Sequence, residues 1–292
     1  MNRVDCLLRW DALLGEVPLW SARDRLLYWV DILAPALHGL DLATGTNRSW
    51  PMPEPIGAVA VHAQGGLLVA LASGLSRFDP ATGSLAPIQP IEADIATSRL
   101  NDGRCDRQGR FWVGSMDRST PEGRGSLYRY DPDGTLHRMI GDIEVPNGLG
   151  FSPNGTTLHF CDSPTRRLTT HALDPATGAL GPSRLFGESD PPGVPDGAVT
   201  DADGCLWVAQ FDGARVTRYT PDGRVDQVIP LPVPRPTACC FGGDNLDTLF
   251  VTSARINLTA EVLREAPLSG SIFAIRPGVR GLPEPAFGQR VV

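Results

Sequence analysis

The chain has 292 residues, a net charge of −7 and 41% hydrophobic residues. The hydrophobic content argues against a disordered chain. The negative charge and the lack of a basic run argue against nucleic acid as a partner. No apolar stretch approaches a membrane span, and residues 1–14 lack the extended apolar core of a signal peptide. We therefore expect a cytoplasmic protein with no membrane partner.

Glycine and proline are abundant, with 32 and 27 residues respectively. This composition is typical of many short strands joined by tight turns. Single all-β domains commonly reach this length, so we expect one domain over residues 1–292.

The first predicted strand covers residues 4–10, and six repeats follow it. In each repeat a small residue lies beside the head of the first strand. These residues are Gly15, Gly57, Gly103, Gly148, Gly197 and Ala238, spaced 41 to 49 residues apart. That period is typical of one four-stranded propeller blade.

Each repeat has the same succession of strands and turns. A first apolar strand is followed by a second strand rich in aromatic and β-branched residues, and a third strand runs into an Asp-Pro or Asp-Gly turn. These turn residues are typical of hairpins. The last repeat carries an insertion, residues 258–265, in which we predict one short helix.

The predicted fold class is all-β, a six-bladed β-propeller with four-stranded blades. An open ring of blades would leave strand edges unpaired. We therefore predict that the N-terminal strand pairs with the last blade and closes the ring. A ring closed by its own termini needs no partner, so we expect a monomer.

The residue at the head of each first strand is expected to face the central channel. In chain order these residues are Glu16, Ile56, Asn101, Asn147, Asp196 and Thr237. Two carboxylates and two amides provide oxygen ligands, which suit Ca²⁺, Mg²⁺ or Mn²⁺, while Zn²⁺ and Fe²⁺ are also compatible. We interpret them as a metal site rather than as strand caps or partners of channel water.

Several motifs together resemble the senescence-marker protein/gluconolactonase/regucalcin family, almost from end to end. They lie at residues 14–20, 99–103, 106–109, 112–116, 125–128, 146–149 and 195–197. The resemblance implies a six-bladed propeller with one catalytic divalent metal ion in its channel. It implies that Glu16, Asn147 and Asp196 hold the metal. It also implies that Arg99 and Asn101 contact the hydroxyls of a sugar lactone.

Two positions depart from the pattern of this family. Val17 stands where the family usually has glycine. The animal members carry a substrate-contacting glutamate shortly after the motif methionine, and the equivalent stretch here is Asp117, Arg118 and Ser119. That contact is therefore absent, replaced by Asp117, or made by Glu122. We choose Asp117 as the third predicted substrate-binding residue.

The expected activity is the divalent-metal-dependent hydrolysis of a sugar lactone, such as glucono-, xylono- or arabinono-lactone, to the aldonic acid. Asp196 is expected to be both a metal ligand and the base that takes the proton of the attacking water. Two alternatives stay open. One is a metal-dependent hydrolase of another ester or a phosphotriester, and the other is a non-catalytic metal-binding propeller.

Overall fold

The computed structural model describes residues 3–119 and 124–290. It contains six four-stranded antiparallel sheets, which confirms the predicted six-bladed propeller. The innermost strands of neighbouring blades contact one another in a ring around the central channel.

The strands follow the blades in chain order. Blade one holds β2 (Gly15–Ser21), β3 (Leu26–Asp31), β4 (Ala36–Asp41) and β5 (Asn47–Pro51). Blade two holds β6 (Ile56–Val61), β7 (Leu67–Leu71), β8 (Gly74–Asp79) and β9 (Ser84–Pro90). Blade three holds β10 (Ser98–Cys105), β11 (Phe111–Asp117), β12 (Gly125–Tyr130) and β13 (Leu136–Ile143).

The second half of the ring repeats this arrangement. Blade four holds β14 (Pro146–Phe151), β15 (Thr157–Asp162), β16 (Arg167–Ala172) and β17 (Arg184–Glu188). Blade five holds β18 (Val194–Thr200), β19 (Leu206–Phe211), β20 (Arg215–Tyr219) and β21 (Val225–Pro230). Blade six holds β22 (Pro236–Gly242), β23 (Thr248–Ser253), β24 (Ile272–Ile275) and the N-terminal strand β1 (Val4–Leu8).

The N-terminal strand closes the ring, as predicted. β1 pairs antiparallel with β24, with Val4 opposite Ile275. The insertion of the last repeat forms helix α1 (Ala260–Glu265), which is shorter than the predicted segment. A 3₁₀ turn covers Ser163–Thr165. None of the helices described within residues 3–119 and 124–290 is long and apolar enough to cross a membrane.

Apolar side chains from neighbouring blades fill the spaces between the sheets. The largest fully buried ones include Trp112 and Trp207, in the second strands of blades three and five. Their indole nitrogens donate to the carboxylates of Asp106 and Asp201, each at 2.9 Å. These aspartates lie in the turns between the first and second strands, so these turns also orient the indole rings of the core.

A bulge interrupts the pairing of every inner strand close to its start. Between Glu16 and Leu19 the inner strand advances three residues while its partner advances two. The inner strands of the other five blades show the same kind of register shift. A bulge re-aims the side chains beside it, so the strand-head residues turn toward the channel.

The C-terminal segment, residues 281–289, fills the other end of the channel. Gly281 bridges to Asp201 of blade five, and Phe287 bridges to His62 of blade two. Between them, Glu284 forms an ion pair with Arg104 at 3.2 Å. The sequence analysis contains no expectation for this segment.

The small residues beside the strand heads lie where neighbouring inner strands approach closely. A Cβ on Gly57 would clash with the carbonyl oxygen of Leu100 in the next blade, and a Cβ on Gly197 would clash with Ala238. The repeated small residue is therefore a packing requirement of the narrow channel.

We predict that Gly57→Ala lowers the free energy of unfolding by about 1–3 kcal/mol, because a methyl group must be forced between two backbones. Gly181→Ala is the matched control, because the nearest atoms to its Cβ all belong to Ala172, the closest being the Ala172 Cβ at 3.2 Å. Urea denaturation followed by tryptophan fluorescence measures both variants. An equal stability of the two variants would contradict the close approach of blades two and three.

Candidate active site

The three predicted metal ligands lie at the same end of the channel. Glu16, Asn147 and Asp196 stand beside the bulges of the inner strands of blades one, four and five. Their exposed fractions are 7%, 5% and 5%. Three polar side chains are therefore buried in one small region where the surrounding strands are apolar.

A chain of hydrogen bonds links this region across three blades. Arg99 Nη1 donates to Asn101 Oδ1 at 2.7 Å, and Asn101 Nδ2 donates to Asn147 Oδ1 at 3.0 Å. Asn147 Nδ2 in turn donates to Ser163 Oγ at 2.9 Å, and Ser163 Oγ donates to the carbonyl oxygen of Pro195 at 2.7 Å. The amide of Asn147 is thereby held in one orientation next to Asp196.

Ser163 is a site residue that the sequence analysis missed. It opens the 3₁₀ turn after the second strand of blade four and is buried. Nothing in the local sequence marks it, because its importance comes from contacts with blade five.

Asp102 is a second residue that the analysis missed, although it stands in the Asn101-Asp102-Gly103 motif. It is buried, and its Oδ2 accepts a hydrogen bond from the backbone nitrogen of Leu149 at 3.2 Å. Burial raises the pKa of its carboxyl group. A third buried carboxyl group therefore lies close to Glu16 and Asp196.

The site carries an excess of negative charge. Burial, followed by the charge of Asp102, raises the pKa of Glu16 to about 8. Burial and the charges of Glu16 and Asp102 raise the pKa of Asp196 well above its usual range. The guanidinium of Arg99 opposes both effects, and burial lowers its own pKa to about 10.

These residues fit a divalent cation. A cation between two buried carboxylates lowers their free energy, because it offsets their mutual repulsion. Two carboxylates and an amide supply oxygen ligands, which hard divalent ions prefer. Residues 3–119 and 124–290 contain no group of three or more His, Cys, Asp or Glu side chains that could hold a metal ion by themselves. A three-ligand set thus requires the amide oxygen of Asn147 beside Glu16 and Asp196.

Asp117 lies apart from Arg99. It pairs with Ser98, whereas Arg99 pairs with Met116, so Asp117 and Arg99 are on opposite faces of the sheet. The Asp117 carboxylate accepts hydrogen bonds from the backbone and hydroxyl of Ser119. Its contact with substrate stays a prediction. The alternative position, Glu122, lies outside the described residues.

Val17 occupies a backbone conformation that favours glycine. Its φ is 43°, in the left-handed region, where a β-branched side chain is strained. Its backbone nitrogen donates to Glu16 Oε2 at 3.1 Å. The departure from the family pattern therefore places strain directly beside a predicted ligand.

Comparison with known proteins identifies the family of this chain. Residues 14–255 match the model of the SMP-30/gluconolactonase/LRE-like region. The chain is 43% identical to 6-deoxy-6-sulfogluconolactonase of Pseudomonas putida, with 97% of each chain covered. It is 37% identical to L-arabinolactonase of Azospirillum brasilense, covering 94% of this chain and 92% of that protein. The solved structure of regucalcin, a calcium-binding protein from Agrobacterium tumefaciens, superposes with a TM-score of 0.93 at 33% identity over 97% of each chain.

The raised pKa of Glu16 predicts that the metal-free protein loses stability as the pH rises. The unfolded chain releases this proton near pH 4.5, whereas the folded chain holds it to about pH 8. The folded state therefore binds more protons across this interval, and stability falls by up to about 1.4 kcal/mol per pH unit for one such group.

The measurement is thermal unfolding of the chelator-treated protein at steps between pH 5 and 8. Glu16→Gln should flatten the fall in Tm, because one titrating group is removed. The exposed Glu265→Gln serves as control and should keep the wild-type slope. The same slope in all three proteins would show that Glu16 ionises normally.

Proposed function

The chain belongs to the SMP-30/gluconolactonase/LRE-like family, and we propose that it hydrolyses a sugar lactone to the aldonic acid with one bound divalent metal ion. The observation that carries the proposal is the burial of Glu16, Asn147 and Asp196 together at one end of the channel, beside Arg99. A scaffold would gain nothing from burying two adjacent carboxylates, because each raises the free energy of the other.

The reaction adds one water molecule across the ring ester. The water oxygen bonds to the carbonyl carbon, and the bond from that carbon to the ring oxygen breaks. The ring oxygen takes a proton and becomes a hydroxyl, and the new carboxylic acid releases its proton at neutral pH. A divalent ion, when bound, supplies a Lewis acid for the negative charge that develops on the carbonyl oxygen.

Asp196 is the proposed general base. Its carboxylate lies beside the other proposed ligands, where it would take the proton of the attacking water. Its neighbours Glu16 and Asn147 are the other proposed ligands. The base is held by the backbone of β18 rather than by a loop.

Arg99 is the proposed contact to the sugar. Within the described residues only its Nη1 has protein partners, namely Leu100 O and Asn101 Oδ1. The remaining N–H groups of the guanidinium are left for substrate oxygens. Asn101 uses its amide nitrogen for protein contacts and keeps one lone pair of Oδ1 for a hydroxyl.

The proposed molecule is a monomer of one propeller domain. β1 completes the sheet of blade six within the same chain, so the ring needs no second copy. Sedimentation equilibrium of the purified protein measures this directly, and a dimer mass would overturn it.

We predict metal-dependent acid release from an aldonolactone panel that includes glucono-, xylono-, arabinono- and 6-deoxy-6-sulfogluconolactone. Chelator-treated protein should be inactive, and one of Ca²⁺, Mg²⁺, Mn²⁺, Zn²⁺ or Fe²⁺ should restore activity. Spontaneous ring opening is subtracted with buffer and metal alone. If no pair of lactone and metal is accelerated, the lactonase proposal is wrong. The alternatives are then hydrolysis of another ester or a non-catalytic role.

We also predict that Asp196→Asn lowers kcat by about 100- to 10,000-fold, because the general base is lost. The fold should be unchanged, since asparagine preserves the shape of the side chain. The control is Asp190→Asn, an exposed carboxylate on the connection that precedes the same strand. Near-normal turnover by Asp196→Asn would exclude the proposed base.

A further inference from the structure

Arg118 lies on the same face of blade three as Arg99. In the ladder between β10 and β11, Arg99 is directly opposite Met116. Arg118 directly follows β11, and its backbone nitrogen donates to the carbonyl oxygen of Thr97, so the pairing continues one residue beyond the strand and places Arg118 on the face of Met116. Arg118 is therefore the diagonal neighbour of Arg99 across the two strands, a spacing that long side chains can bridge.

This face is directed toward the candidate site. Gly114 lies on the same face of the sheet as Met116 and Arg118. A Cβ on Gly114 would clash with Pro146 of blade four. Pro146 is the residue before the predicted ligand Asn147. The face that carries both arginines therefore looks toward blade four and the proposed metal.

The two arginines differ in depth. Arg99 is 7% exposed and lies within the channel, whereas Arg118 is exposed at its rim. The backbone nitrogen and Nε of Arg118 both donate to the carbonyl oxygen of Thr97, at 3.0 Å and 3.3 Å. These contacts hold the side chain at the rim and leave its two terminal nitrogens for another partner.

Within residues 3–119 and 124–290, neither Arg99 nor Arg118 forms a salt bridge, although the charges of Glu16 and Asp196 act on Arg99. The nearby Asp117 is on the opposite face and is engaged by Ser119. Burial lowers the pKa of Arg99, the charge of Glu16 opposes this effect, and the charge of Arg118 adds to it, so Arg118 lies close enough to act on Arg99.

We propose that Arg118 determines specificity by binding an anionic substituent on the lactone, so that the preferred substrates are aldonolactones with a sulfonate or phosphate at the end of the carbon chain. This inference rests on the proposed lactonase function. The reacting carbonyl lies at the buried ligands, and the far end of the sugar reaches the rim. The planar guanidinium matches the paired oxygens of either anion.

The test compares kcat/KM for three lactones at one metal concentration: D-glucono-1,5-lactone, its 6-deoxy-6-sulfo analogue and its 6-phospho analogue. The wild type should prefer at least one anionic lactone over the uncharged one. Arg118→Gln should reduce this preference about five- to tenfold, mainly through KM, as expected for a charged hydrogen bond at a solvated rim. Arg118→Lys should retain part of it, and added salt should weaken the wild-type preference.

The control is Arg167→Gln, an exposed arginine at the same end of the propeller whose nearest carboxylate is Glu188 at 3.4 Å. It should keep the wild-type ratio. If the wild type hydrolyses the uncharged lactone but shows no anionic preference, or if Arg118→Gln keeps the wild-type ratio, this inference is wrong and the lactonase function stands. If the wild type hydrolyses none of the three lactones, this inference is wrong, and the wider panel of aldonolactones and metals decides the lactonase function. If the wild type prefers only one of the two anionic lactones, the result identifies whether Arg118 binds the sulfonate or the phosphate.

Discussion

The mutual repulsion of buried carboxylates is the constraint on which the rest of this structure depends. Glu16, Asp102 and Asp196 come from three different blades; Asp102 raises the pKa of Glu16, and both raise the pKa of Asp196. Such a cluster of negative charges destabilises the folded protein unless a cation or bound protons neutralise it. The surrounding ring of inner strands holds these side chains together and largely buried.

That ring is held by close backbone contacts rather than by long side chains. Small residues such as Gly57 and Gly197 let neighbouring inner strands approach, and Thr237 of blade six bonds to the carbonyl oxygen of Gly15 in blade one. The pairing of β1 with β24 closes the circle. A loosened ring would separate the carboxylates and remove their affinity for a cation, so stability and function depend on the same contacts.

The two ends of the channel have different roles. Residues 281–289 fill one end, where Glu284 neutralises Arg104. The other end carries the strand heads, Arg99 and the exposed Arg118. In the proposed mechanism, a substrate reaches the buried carboxylates from the strand-head end, past Arg118. Because a lactone would enter only from this end, Arg118 at the rim is placed where it could select among lactones.

The sequence by itself determined the six repeats, the closing strand, and the heads of the inner strands, including Glu16, Asn147 and Asp196. These features are local, because strand alternation and turn residues act over a few neighbours. Only the tertiary structure decided that Asp102 and Ser163 join the site and that Asp117 faces away from Arg99 while Arg118 shares its face. The physical reason is register. A one-residue bulge or shift moves a side chain to another face, and the register is set by packing between blades that are distant in sequence.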